Sequence, residues 1–267
     1  MKETLTRAVS GALYIVILIG CILHSQQAYQ ILLGCFLTLS VFELCKIFGL
    51  NYFIPVVVAT FLYIYLTDLA FRPLTDGILN ATAVLTLLGL VVYLFQSGQK
   101  EIPLYFKYFI LLGYLIIPFI ILNKIPIGVK GYNPKIIISI FVIIWTNDTF
   151  AYLVGKNFGK RKLFEQISPK KTIEGFVGGL IFGLLAGYLL SKYYIQASLM
   201  FWLIISAIVV VFGTLGDLIE SKFKRVAQVK DSGKIMPGHG GILDRLDSII
   251  FAAPFVFLFY QIMYYVS

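Results

Sequence analysis

The sequence predicts an all-α, polytopic integral membrane protein with about nine transmembrane helices and a cytoplasmic N-terminus. Three observations carry that reading. Apolar residues make up 59% of the 267 positions and charged residues only 13%, with a mean hydropathy of +0.90. A soluble domain averages about 25% charged residues, so this chain has roughly half the usual supply for a wet surface. Apolar runs of membrane-spanning length recur from end to end, joined by short polar connections. The basic residues fall unevenly on alternate connections, the mark of a fixed orientation in a bilayer.

The runs cover about 8–24, 29–47, 52–67, 78–96, 104–123, 136–155, 173–191, 195–220 and 248–266. The third is short, and the eighth is long enough to tilt or to project from the bilayer. Met1–Arg7 followed by an apolar run also fits a signal peptide. The next run starts only a few residues later, so the first is read as a span. With the N-terminus inside, the inner connections hold Lys2, Arg7, Lys46, Lys100, six basic residues in 156–172 and six in 221–247, sixteen in all. The outer ones hold five: Arg72, Lys124, Lys130, Lys135 and Lys192. That asymmetry places loops 156–172 and 221–247 in the cytoplasm and the protein in the cell (inner or plasma) membrane.

Composition also excludes several classes. A net charge of +9 in a soluble protein would suggest nucleic acid. Here the asymmetry across the membrane accounts for it, and no nucleic acid is expected as partner. Cys21, Cys35 and Cys45 lie in apolar runs without metal-ligand spacing, and two histidines cannot build a histidine-rich metal centre. Residues 1–140 read as scaffold spans with one embedded acid, Glu43. Residues 141–267 read as the catalytic region, because 141–247 hold eight of the thirteen acids and most of the basic residues.

The eighth span ends in a run where Asp217, Glu220, Ser221 and Lys224 fall at i, i+3, i+4 and i+7, one face of a helix. A carboxylate at mid-bilayer costs about 2.5–3.5 kcal/mol on insertion scales. Such acids belong near the interface, in a polar cavity or on a cation. Gly213 and Gly216 leave room for a neighbouring helix or a ligand. The following loop carries Lys230-Asp231 and then His239-Gly240-Gly241, with Asp244, Arg245 and Asp247 at the start of the ninth helix. Asp217, Asp244 and Asp247 beside Lys222, Lys224, Arg225, Lys230 and Arg245 suit Mg²⁺ with phosphates. Magnesium takes one or two carboxylates and lets substrate oxygens and water complete its octahedron, while the cations neutralise the remaining phosphate charge. Helix caps and an ion-pair network are the structural alternatives.

A second polar cluster lies on the same side. Asn147 and Asp148 sit within the sixth span, and Ser168-Pro169-Lys170-Lys171-Thr172 stands just before the seventh. Free backbone N–H groups there can hold an anion, although the glycine pattern of a P-loop is missing. Nucleophilic catalysis has little support, since His239 has no serine elbow near it.

The stretch Ser221-Lys222-Phe223-Lys224-Arg225, Lys230-Asp231, His239-Gly240-Gly241, Asp244-Arg245 and Asp247 resembles the signature of the phosphatidate cytidylyltransferases, or CDP-diacylglycerol synthases. Asp148, Ala151-Tyr152, Gly155 and Ser168-Pro169-Lys170-Lys171-Thr172 extend the likeness over roughly the last 120 residues. The resemblance implies a homodimeric integral membrane enzyme that makes CDP-diacylglycerol and pyrophosphate from CTP and phosphatidate. It implies Mg²⁺ on Asp217, Asp244 and Asp247, with a monovalent cation such as K⁺ sharing the site. Lys224, Arg225 and Arg245 then act on the reacting phosphates. Asp148, Ser168, Lys170, Lys171, Thr172, Ser221, Lys222, Lys230, Asp231, His239, Gly240 and Gly241 bind the substrates, and membrane lipids surround the whole. Two rivals remain in view. A CDP-alcohol phosphotransferase needs a D-G-x-x-A-R run that is absent, and a transporter would show repeats and midplane charges that are also absent.

Overall fold

The computed structural model describes residues 2–67, 72–96, 102–128 and 131–266. Lys100 and Lys130, counted above, lie outside the described residues. Nine helices run through the described residues: α1 Lys2–His24, α2 Gln26–Phe48, α3 Phe53–Thr67, α4 Pro73–Phe95, α5 Leu104–Lys124, α6 Pro134–Phe158, α7 Ile173–Ile195, α8 Leu199–Val226 and α9 Leu243–Val266. Eight are long and apolar enough to cross a membrane. The exception is α3, whose 15 residues reach only about 22 Å at 1.5 Å per residue. The chain is a multi-pass membrane protein.

Local chemistry sets the helix ends. Ser25 caps α2 by accepting from the Ala28 N–H at 3.1 Å, and Gly49 closes it in the left-handed conformation at φ 66°. Asn133 caps α6 ahead of Pro134. Thr172 caps α7 through the Gly175 N–H at 3.1 Å. Lysines finish two other ends. Lys107 of α5 donates to the Phe48 carbonyl at 2.7 Å, and Lys222 of α8 donates to the carbonyls of Tyr93, Leu94 and Gln96 at the close of α4.

The structure departs from the sequence reading at three places. The eighth helix runs to Val226, so Ser221, Lys222, Lys224 and Arg225 are helical rather than part of a loop beginning at 221. The ninth begins at Leu243, ahead of the apolar run read from 248, and it has Asp244 in its first turn as the sequence reading expects. Among the described residues the fold is all-α apart from two antiparallel strand pairs, β1 Ile127–Gly128 with β2 Gly131–Tyr132 and β3 Lys162–Phe164 with β4 Ser168–Thr172. Hydropathy missed these because a charged helix end and a charged loop look alike to it.

Backbone proximity holds α6, α7 and α8 together. Gly175, Gly179, Gly183 and Gly187 repeat every fourth residue along α7. A Cβ at Gly175 or Gly179 would meet α6 at Ala151 or Asn147, and one at Gly183 or Gly187 would meet α8 at Val210 or Ser206. Small residues let membrane helices approach where no hydrophobic drive operates between them. Phe223 of α8 joins the halves of the chain, with its ring 5.3 Å from Phe48 and 5.6 Å from Tyr114, both edge-on.

The scaffold half holds a second embedded acid that the sequence reading missed. Asp76 of α4 is buried, pairs with Lys124 Nζ of α5 at 2.5 Å, and accepts from the Arg72 N–H at 3.1 Å. This pair lies at the opposite end of the bundle from the start of α9.

Candidate active site

The β3–β4 hairpin is fixed before it reaches its target. Glu174, in the first turn of α7, accepts from the Lys160 and Arg161 N–H groups at 3.0 and 3.1 Å and from Arg161 Nε at 3.2 Å. Lys162 Nζ donates to the Pro169 carbonyl at 2.6 Å. From α8, Arg225 Nε donates to the Ile167 carbonyl at 3.4 Å and its Nη1 to the Val229 carbonyl at 3.2 Å. Gly155, Gly159 and Gly175 make room for the Thr172 side chain. The result carries Lys171 to α8, where its Nζ meets Asp217 Oδ2 at 2.5 Å. Lys171 and Asp217 keep 28% and 35% of their side chains exposed, so solvent and solutes reach the pair.

The convergence of α8 and α9, on which the sequence reading depended, is present. At Gly216 a Cβ would strike the Asp247 carbonyl and Phe251, so α9 comes to backbone distance of α8 beside Asp217. Two turns on, Lys224 Nζ sits between Glu220 Oε2 at 2.7 Å and Asp244 Oδ1 at 2.6 Å. Ser221 Oγ donates to Asp217 Oδ1 at 3.3 Å. Asp247 is buried and accepts from the Ser248 N–H at 2.7 Å. Asn147 donates to Asp148 at 3.1 Å. The charges of Asp148, Asp217 and Asp247 act on one another, which marks one acidic cluster drawn from α6, α8 and α9.

The connection from α8 to α9 wraps around this cluster. Asp244 Oδ2 accepts from the Ser232 and Gly241 N–H groups at 2.9 and 2.7 Å. Gly240 takes φ 88°, a conformation glycine adopts without strain, and packs against Asp244 and Asp231. Arg245 Nη2 donates to the His239 carbonyl at 2.8 Å. His239 Nδ1 lies 2.8 Å from Ser10 Oγ, which also donates to the Pro237 carbonyl at 2.9 Å, so the start of α1 docks on the glycine-rich turn. Desolvation, then the positive charges of Arg245 and Arg7, hold the His239 imidazole below its ordinary pKa of 6.5.

Several expected ligand-binding residues also make contacts within the fold. Lys222 is buried with its ammonium on the end of α4 and over the Tyr93 ring at 4.1 Å. Arg225 is engaged with two carbonyls, and Thr172 is a helix cap. Ser168 stands in β4 opposite Phe164. Lys170 is exposed on the hairpin, and Lys230 and Asp231 are exposed on the loop.

Sequence reasoning noted Glu43 as an embedded acid but gave it no role. From α2 its carboxylate accepts from Ser232 Oγ at 3.0 Å, the Ile242 N–H at 3.1 Å and the Leu243 N–H at 2.9 Å. A buried acid near a helix end was the only signal, and its partners are about 200 residues away.

The cytidylyltransferase family profile matches residues 5–263. The chain belongs to the cytidylyltransferase family. It is similar to proteins named phosphatidate cytidylyltransferase: 50% identical over 120 residues to one from Staphylococcus haemolyticus, 52% over 120 to one from Staphylococcus aureus and 51% over 120 to one from Bacillus subtilis. Each match covers 43–44% of this chain and 44–46% of the relative, so it spans just under half the length of the curated proteins.

A cytidylyltransferase-family site raises the question of a metal. Among the described residues no group of three or more Asp, Glu, His or Cys is arranged to hold an ion unaided. The donor set fits a cation that draws part of its shell from substrate. Asp217 and Asp247 share like charge at short range. Glu220 Oε1, Asn147 Oδ1 and the Tyr114 hydroxyl are buried without hydrogen-bond partners among the described residues. Asp244 Oδ2 holds the loop, and its Oδ1 takes the Lys224 ammonium.

Proposed function

We propose that this chain is a CTP:phosphatidate cytidylyltransferase of phospholipid synthesis, acting with Mg²⁺ at the cytoplasmic face of the cell membrane. Family membership and the names of the relatives support the reaction class. The observation that carries the reading is the Lys171–Asp217 contact set beside Asp247 and Asp244, which joins three sequence-distant segments into one mixed acidic and basic site at a bundle end. The basic excess on that side supports its cytoplasmic location.

In this reading a phosphatidate phosphate oxygen attacks the α-phosphorus of CTP. The α-phosphorus bond to the bridging oxygen breaks, and pyrophosphate leaves with the electron pair. The attacking phosphate is already an anion, so the site needs little base catalysis. Its task is to bring two anions together in line. Lys170 and Lys171 on the hairpin and Lys230 and Arg245 on the loop side offset phosphate charge. Lys224 holds Asp244 in register with Glu220. Asp148 bounds the pocket from α6. Asp217 and Asp247 would hold magnesium, with Asp244 Oδ1 beside them. When bound, magnesium screens the phosphate charges and stabilises the pyrophosphate leaving group. A K⁺ ion and a homodimer belong to the proposal through the family resemblance alone.

The test is purified protein in mixed micelles with radiolabelled CTP, phosphatidate and Mg²⁺. Labelled CDP-diacylglycerol that depends on all three is expected. No product under any divalent ion would defeat the proposal, and product from CDP-diacylglycerol and an alcohol would turn it toward a phosphotransferase.

A further inference from the structure

We propose that Glu43 is a positioning residue of the site, a clamp through which the scaffold half sets the glycine-rich loop and the first turn of α9. The inference rests on the reading above only for its kinetic consequence. Three donors converge on the Glu43 carboxylate: Ser232 Oγ, the Ile242 N–H and the Leu243 N–H, at 3.0, 3.1 and 2.9 Å. Two of them are backbone amides at the start of α9, which have no partner inside their own helix. Glu43 therefore acts as the cap of α9, supplied from a helix about 200 residues away.

A second observation is independent of these bonds. A Cβ at Gly233 or Gly241 would run into the Glu43 carboxylate. Two loop glycines thus leave the space that the acid fills, on either side of the segment it holds. The clamp lies next to the acidic cluster. Ser232 contacts Glu43 through its hydroxyl and Asp244 through its N–H, and Gly241 donates to Asp244 while packing on Glu43. Moving the clamp moves Asp244 and, three residues on, Asp247.

Glu43→Gln keeps the shape but turns an N–H₂ donor toward amide donors. Glu43→Asp keeps the charge and shortens the reach. Gly241→Ala intrudes from the other side. In the ligand-free protein, hydrogen–deuterium exchange of 230–246 is expected to rise tenfold or more in Glu43→Gln and Gly241→Ala, and less in Glu43→Asp, with the other helices unchanged. The Mg²⁺ concentration for half-maximal rate is expected to rise about tenfold, while KM for phosphatidate stays within twofold. Wild-type exchange in 230–246, or uniform acceleration through the whole bundle, overturns the clamp. An unchanged Mg²⁺ requirement with locally faster exchange overturns its positioning role. The exchange measurement reads the clamp even if the chain proves not to turn over CTP, so the two proposals fail separately.

Discussion

Lys171 Nζ and Asp217 Oδ2 meet at 2.5 Å, joining a hairpin strand to a transmembrane helix 46 positions further along the chain. The pair is about one-third exposed, and pairs of that kind contribute about 0.2–1 kcal/mol to stability. Its value is in placement. Asp217→Asn is expected to cut CDP-diacylglycerol formation about a hundredfold or more, the scale of losing one electrostatic partner of a reacting group. Its thermal midpoint should stay close to that of the parent protein. Near-normal turnover would remove Asp217 from the site.

Lys222 separates a fold role from a substrate role. Its ammonium ends α4, so Lys222→Met leaves carbonyls there without a donor. The expected cost is about 1–3 kcal/mol of stability, with KM for CTP unchanged in the folded fraction. Denaturation in detergent alongside CTP titration measures both. A raised KM without lost stability would return Lys222 to the phosphate site.

Lys124 sits at the far end of the bundle from the start of α9. The structure gives it a buried partner, Asp76, which is 2% exposed. Lys124→Ala leaves that acid uncompensated, a change that costs about 3–5 kcal/mol for buried pairs. Lower yield and melting temperature are expected, with unaltered turnover per folded molecule. Lys124→Ala with Asp76→Asn should recover much of the loss.

His239 sets a pH dependence. Its folded pKa is below the ordinary 6.5, so it favours the neutral ring in the native state. The stability it contributes is complete above pH 6.5 and is lost as pH falls below that value and through the folded pKa. His239→Asn should therefore flatten the fall in melting temperature between about pH 7 and 5. An identical slope in both proteins would show that other groups set it.

How much of this was legible beforehand divides by range. The span positions were readable, because twenty-residue apolar runs and the skew of lysine and arginine are properties of local sequence. The approach of Asp217 to the start of α9 was readable from Gly213 and Gly216 together with the signature. The carbonyl contacts of Lys222 and Arg225 were not, since a basic residue after an apolar run reads as loop whether it meets a phosphate or a helix end. Glu43 and Asp76 were hidden for a related reason. Each takes its meaning from a partner on another helix, and one chain without its fold does not say which helix that is.

The glycine ladder of α7 has a consequence for how this protein can drift. Each glycine leaves room for a short group of the neighbouring helix, the Ala151 carbonyl, Asn147, Val210 or Ser206, so the separation of α6, α7 and α8 has little slack. Lys171 hangs from the head of that ladder by Thr172, and Asp217 belongs to the helix on its far side. The outward face of α7, such as Ile181 and Leu185, is exposed. The ladder works as a rigid gauge block between an adaptable exterior and a reaction centre that tolerates little movement.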